Sequence, residues 1–102
     1  MSTYKEEQNR LVRVGFDVDG TLIRFDDTPR YDIIDILLQF KRLGCSIVVA
    51  SGGGKEYAQH WVHKLGLTNY VDYVTDKYSL ESGIKVWFDD EKVSIGETNI
   101  IV

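Results

Sequence analysis

Two aspartates spaced two apart, Asp17 and Asp19, follow an apolar run and precede Gly20, Thr21 and Leu22. If a strand continues through both, their side chains point the same way. Like charges that close need a cation or a shared proton to hold them together. Mg²⁺ suits the pair, because it takes oxygen ligands, usually one or two of them carboxylates, and fills its other positions with water and substrate phosphate. Asp89 and Asp90 offer a second half of such a site at the end of another apolar run, Val86-Trp87-Phe88. Ser51-Gly52-Gly53-Gly54, ahead of a helical stretch, supplies a hydroxyl and backbone N–H groups. That is an anion-binding arrangement. A metal, an anion cradle and a carboxylate nucleophile together describe phosphoryl chemistry.

The elements that must position these groups are short and alternate in type. Leu11 to Val18 is rich in Val and Phe and reads as a strand buried on both faces. Thr28-Pro29 reads as a helix start, since Pro at the first helical position gives up an N–H that has no partner there. Ile33, Ile34, Leu37, Leu38 and Phe40 then recur at helical spacing, and Gly44 is a ready stop. Cys45 to Ala50 is a β-branched run that reads as a second buried strand. Tyr57, Ala58, Trp61, Val62 and Leu65 share one face of a second helix, ended by Gly66, and read as core. Tyr70 to Thr75, Lys85 to Phe88 and Asn99 to Val102 read as further strands. Such alternation predicts an α/β fold with a parallel sheet and right-handed crossovers. Ligands of such sheets sit outside the carboxyl ends of the strands, where Asp17, Asp19, Ser51, Asp89 and Asp90 all fall.

With 102 residues, the chain allows one domain, assigned to 11–102, after a polar leader over 1–10. Twelve basic residues against 16 acidic ones give a net charge of −4, which disfavours nucleic acid as a partner. Cys45 is the single cysteine, so neither an intramolecular disulfide nor a cysteine-based zinc site can form within the chain. The leader lacks the apolar core of a signal peptide, and no run approaches the roughly 20 apolar residues that span a bilayer. A cytoplasmic protein without membrane contact is the expectation.

Phe16-Asp17-Val18-Asp19-Gly20-Thr21-Leu22 resembles the first motif, DxDGT after a hydrophobic strand, of the haloacid dehalogenase (HAD) superfamily of phosphatases. Ser51 stands where the second motif is expected, and Val86-Trp87-Phe88-Asp89-Asp90 is similar to the fourth. The third motif is a lysine, which either Lys77 or Lys85 could supply. Lys77 is preferred because it follows the Tyr70–Thr75 strand, whereas Lys85 starts the next strand too far from its carboxyl end. The resemblance spans Phe16 to Asp90, about three-quarters of the chain. It implies a three-layer αβα Rossmann-like core. By the same resemblance, Asp17 is the nucleophile that becomes an aspartyl phosphate, and Asp19 is the acid and base. The Asp17 and Asp89 carboxylates and the Asp19 main-chain carbonyl would ligate Mg²⁺, and Asp90 would ligate it or hold its water. Ser51 with the N–H groups of Gly52 and Gly53 would bind the phosphoryl oxygens, and the lysine would offset their charge. Ile23 to Pro29 leaves room for a hairpin flap but not for the cap domain of larger relatives. The implied substrate is therefore a phosphosugar-type or macromolecular phosphoester reaching an open site, or one covered by a second subunit in a homo-oligomer.

Plainer readings stand beside these. Asp-Gly is a common turn pair, and Asp89-Asp90-Glu91 could be a solvated strand end. His60 and His63, three apart on a helix with no further His or Cys nearby, read as solvent-facing. Trp87 reads as packing under a helix. Arg24 or Arg30 on the flap could reach a second anionic group of the substrate. Two rival functions remain: a non-catalytic binding or assembly module that keeps the metal site, and a phospho-accepting receiver, which has no need of Asp19 or the DGT sequence. A site not built for stability predicts that Asp17→Asn loses turnover and leaves stability within about 1 kcal/mol.

Overall fold

The computed structural model describes residues 12–80 and 83–102. Its elements run β1 (Arg13–Phe16), α1 (Tyr31–Arg42), β2 (Ser46–Ser51), α2 (Lys55–Lys64), β3 (Tyr73–Asp76), a 3₁₀ turn (Lys77–Ser79), β4 (Ile84–Asp89) and β5 (Thr98–Ile101). The strands form one parallel sheet in the order β3-β2-β1-β4-β5. This is the α/β, Rossmann-like core expected from the alternation of elements. The central strand β1 lies between β2 and β4, so its carboxyl end opens between theirs.

Alternation along the strands divides the apolar residues between two faces. Ile47 and Val49 join Val14, Phe16 and Phe88 beneath the buried faces of both helices, Ile33, Ile34 and Leu37 from α1 and Ala58, Trp61 and Val62 from α2. Phe16 and Phe88 stack across the β1–β4 pair with ring centroids 4.8 Å apart. Val48, Ala50, Ile84 and Trp87 face the other way, under Leu80, Val93 and Ile95. Both helical crossovers step in the same direction along the sheet, and right-handedness therefore puts both helices on one face. The return from β3 to β4 would supply a helix on the other face, but only residues 77–83 connect them. A helical crossover needs roughly a dozen residues or more. Among the described residues, the third layer is consequently made of connections rather than helices.

Trp87 thus packs on the face without helices, not under one as the sequence suggested. Its ring lies against Gly15, where an added Cβ would sit 2.4 Å from Trp87 Cε3. Element boundaries also differ from expectation. Helix α1 starts at Tyr31 with Arg30 as its N-cap, because Pro29 is held in a bridge to Ile23 and its carbonyl accepts from Arg24 Nη1 at 2.7 Å. Strand β3 starts at Tyr73, because the N–H groups of Tyr70 and Val71 turn back onto the Leu67 carbonyl. The leader assigned to 1–10 lies outside the described residues. None of the described helices is long and apolar enough to cross a membrane.

Candidate active site

Strand β1 ends at Phe16, and Asp17 remains tied to the sheet through its N–H, which donates to the Phe88 carbonyl at 3.0 Å. The chain then folds back at once, with the Val18 carbonyl accepting from the N–H groups of Thr21, Leu22 and Ile23. The pleat therefore does not carry both aspartates in one direction. Asp17 turns into the sheet's carboxyl edge and is only 4% exposed, while the Asp19 carboxylate accepts from the Tyr57 hydroxyl at 2.7 Å. Gly20 makes the fold-back at a φ of 78°, a value that disfavours any side chain. It also makes room, since a Cβ there would lie 2.4 Å from Asp90 Oδ2.

Asp89 is the last residue of β4 and is buried, with Asp90 beside it. Carboxylate oxygens of Asp17, Asp89 and Asp90 all lie within 4.8 Å of one another. Lys77, first residue of the turn after β3, enters this group: its Nζ is 3.1 Å from Asp17 Oδ1 and 2.8 Å from Asp89 Oδ2. Lys85 is exposed at the start of β4 and pairs instead with Glu97 at 2.8 Å. Of the two lysines weighed from the sequence, Lys77 is thus the one that reaches the carboxylates. Asp89 is fixed from three sides, because Oδ2 also accepts from the Trp87 indole N–H at 2.9 Å and Oδ1 accepts from the Glu91 N–H at 3.0 Å. Ser51 closes β2, and its Oγ accepts from the Gly53 N–H at 3.0 Å. Gly54 caps α2 without a side-chain hydrogen bond.

The electrostatics follow from this crowding. Burial, and then the charge of Asp89, push the Asp17 carboxyl up to about 7, against the opposing pull of Lys77. Burial works on Asp89 in the same sense, but the hydrogen bonds from Lys77, the Glu91 N–H and the Trp87 indole outweigh it and hold Asp89 below the usual carboxylate range. Asp90 is raised by burial and by its hydrogen bond to Asp89. Burial would depress Lys77, yet its two carboxylate partners keep it above the ordinary lysine value.

Three carboxylates against one ammonium leave two negative charges uncompensated when all are ionised. The donors are all oxygen and converge from the ends of two neighbouring strands. Such a set fits a hard divalent cation, which would offset the burial and the Asp89 charge that together raise Asp17. The Asp19 carboxylate stands apart from this cluster, against the Tyr57 hydroxyl.

Asp17, Asp19, Gly52, Gly53, Lys77 and Asp90 line one open cleft of about 450 Å³. Phe25 and Tyr78 stand on the same cleft. Neither stands in a motif or on an apolar stripe of the sequence, and the sequence pattern gives Tyr57 and Trp87 packing roles alone. Helical spacing correctly puts Tyr57 on the core stripe, but nothing in that spacing signals that its hydroxyl reaches Asp19. His60 and His63 are exposed, as expected. The flap arginines are engaged locally, Arg24 with the Pro29 carbonyl and Arg30 with the Gly20 carbonyl and Asp32.

The family model for haloacid dehalogenase-like hydrolases matches residues 14–76, more than half of the chain. The match includes Asp17, Asp19 and Ser51 and stops one residue before Lys77, so Lys77, Asp89 and Asp90 stand on geometry alone. No curated protein and no solved structure matches the chain.

Proposed function

The chain belongs to the haloacid dehalogenase-like hydrolases, and from that premise we propose that it hydrolyses a phosphomonoester with Mg²⁺, through an aspartyl phosphate on Asp17. The observation that carries this reading is the Lys77 ammonium lodged between the buried Asp17 and Asp89 carboxylates, 3.1 and 2.8 Å away. A buried nucleophile kept close to a cation, in a cleft that also holds Gly52 and Gly53, is what attack on an anionic phosphoryl group requires.

Asp17, Asp89 and Asp90, with the Asp19 main-chain carbonyl, would hold the metal, which when bound would draw charge from the phosphoryl oxygens. An Asp17 carboxylate oxygen attacks phosphorus, the bond to the ester oxygen breaks, and the Asp19 carboxyl gives that oxygen its proton. Asp19, now ionised, takes a proton from water as the water oxygen attacks the phosphorus of the aspartyl phosphate. Inorganic phosphate leaves and Asp17 is restored. Tyr57 holds the Asp19 carboxylate in place through its 2.7 Å hydrogen bond. Ser51 accepts from Gly53 and therefore keeps its own O–H to donate to a phosphoryl oxygen. Lys77 balances the charge on the attacked group.

Phosphate release from a panel of phosphomonoesters, p-nitrophenyl phosphate included, tests the proposal with Mg²⁺ and with chelator, beside Asp17→Asn. The expected result is release that needs the metal and is lost in the variant. Release that persists in Asp17→Asn would rule out the covalent route. No release from any ester, with Mg²⁺ still bound by calorimetry, would favour a metal-binding module over an enzyme.

A further inference from the structure

We infer that the cleft takes a phosphomonoester whose alcohol carries a planar aromatic ring, which stacks on Phe25 and Tyr78. This names a substrate class for the proposed phosphatase and rests on that reading. Phe25 and Tyr78 are 80% and 89% exposed, the two most exposed large apolar side chains among the described residues, and both line the cleft that holds Asp17 and Lys77. Isolated exposed aromatics are common on surfaces, but these two come from different connections and meet at one site.

Neither ring rides on a loose loop. Phe25 tops a hairpin closed by the Ile23–Pro29 bridge, by the Arg24 N–H donating to the Thr28 carbonyl at 2.8 Å, and by Asp26 accepting from both the N–H and the hydroxyl of Thr28. Tyr78 sits in the 3₁₀ turn whose N-cap, Asp76, accepts from the Ser79 N–H and hydroxyl, each at 2.8 Å. Backbones pinned this way present their side chains at little further ordering cost, which is what a stacking platform needs.

The position of the phosphate dictates what the rings can meet. The reacting end belongs at the floor, beside Asp17 and Lys77, so the alcohol must project toward the mouth, where no inserted domain adds contacts. Among the described residues, Lys77 is the only cationic side chain lining the cleft. Arg24 and Arg30 are engaged by flap partners and stand outside the lining of this cleft. What the mouth does offer is aromatic surface, which a planar ring uses best.

The test compares kcat/KM for adenosine 5′-monophosphate and for phosphotyrosine with kcat/KM for glycerol phosphate, which has no ring. In the nucleotide the ring is remote from the scissile bond, so leaving-group reactivity does not distort the comparison. Phe25→Ala and Tyr78→Ala should each lower the ring-to-glycerol ratio roughly five- to fiftyfold for at least one aromatic ester, as loss of one stacking partner does elsewhere. Tyr78→Phe should restore it. A fall confined to the nucleotide or to phosphotyrosine supports the inference and identifies the source of the ring. Ratios unchanged in both alanine variants would overturn it, as would an equal fall for all esters. If the wild type turns over neither these esters nor any other of the panel, the phosphatase reading has failed by itself. Calorimetric binding of the same esters then decides: ring-dependent affinity lost in Phe25→Ala supports the inference, and its absence overturns it.

Discussion

Replacing Asp17 by asparagine should make the metal-free protein more stable at neutral and alkaline pH, although it removes the proposed nucleophile. The sequence alone suggested an indifferent effect. The structure changes that expectation, because Asp17 is buried, faces the charge of Asp89, and has its carboxyl raised from the ordinary 3.8 to about 7. Between those values the folded chain holds a proton that the unfolded chain has released. Its stability therefore falls as pH rises through that window, and the full penalty applies above about 7. At about 1.36 kcal/mol for each tenfold change in proton affinity, the penalty is roughly 4 kcal/mol. Allowing half of that for solvent at the cleft and for the Lys77 contact that asparagine weakens leaves about 2 kcal/mol.

Asparagine resembles the protonated carboxyl at every pH. The variant should therefore melt on the order of 10 °C above the wild type near pH 8 with chelator present, since about 1 kcal/mol moves the midpoint of a domain this size by roughly 4–8 °C. The gap should close as pH falls to about 4, where the folded wild type carries the proton itself. Thermal melts of both proteins across this range provide the measurement. Saturating Mg²⁺ should narrow the gap from the other side, because the wild type gains binding energy that the variant gains less of. A gap that is independent of pH, or a variant less stable than wild type near pH 8, would refute the claim that Asp17 is strained by burial and by Asp89.

Two further substitutions separate the parts of the site. Trp87→Phe keeps most of the ring volume but removes the N–H that donates to Asp89 Oδ2 at 2.9 Å. Calorimetry should show Mg²⁺ affinity lowered about 10-fold or more, as for loss of a hydrogen bond that orients a ligand, and unchanged affinity would count against that role. Asp19→Asn should slow phosphate release by roughly 10²–10⁴-fold yet leave Mg²⁺ affinity near that of wild type, since its carboxylate lies outside the Asp17, Asp89 and Asp90 cluster. An equal loss of metal binding would place that carboxylate among the ligands.

What could be read in advance was whatever depends on the type and order of residues. The apolar runs ending at Asp17, Ser51 and Asp89 specify buried parallel strands, and parallel strands bring their carboxyl ends together. Strand rise favours Lys77 over Lys85, and the structure brings Lys77 to the carboxylates. What stayed hidden depends on direction. Asp17 and Asp19 share one direction only if β1 continues through both, but the Val18 carbonyl captures three later N–H groups and ends the strand first. Val86-Trp87-Phe88 is apolar throughout, so its pattern leaves open which face Trp87 takes, and the register shift between β1 and β4 adds to the ambiguity. The Tyr57–Asp19 bond joins residues 38 apart, a contact that helical spacing has no means of encoding.

The short β3–β4 connection links these observations. With too few residues between β3 and β4 for a helical crossover, the face between them is closed by side chains such as Trp87, which is fully buried there. Its ring takes the space that a side chain at position 15 would occupy, and at Gly96 an added Cβ would approach the Trp87 backbone N to 3.0 Å. The indole that closes this second core also donates to Asp89, so packing on one face of the sheet fixes a carboxylate at its edge. The same economy puts Lys77 and Tyr78 side by side on one capped turn, joining the cation at the floor of the cleft to an aromatic group at its mouth. A longer crossover would separate these functions. Here, changes to the second core should be felt at the site, and metal affinity measured beside thermal stability in Trp87→Phe separates that coupling from simple loss of structure.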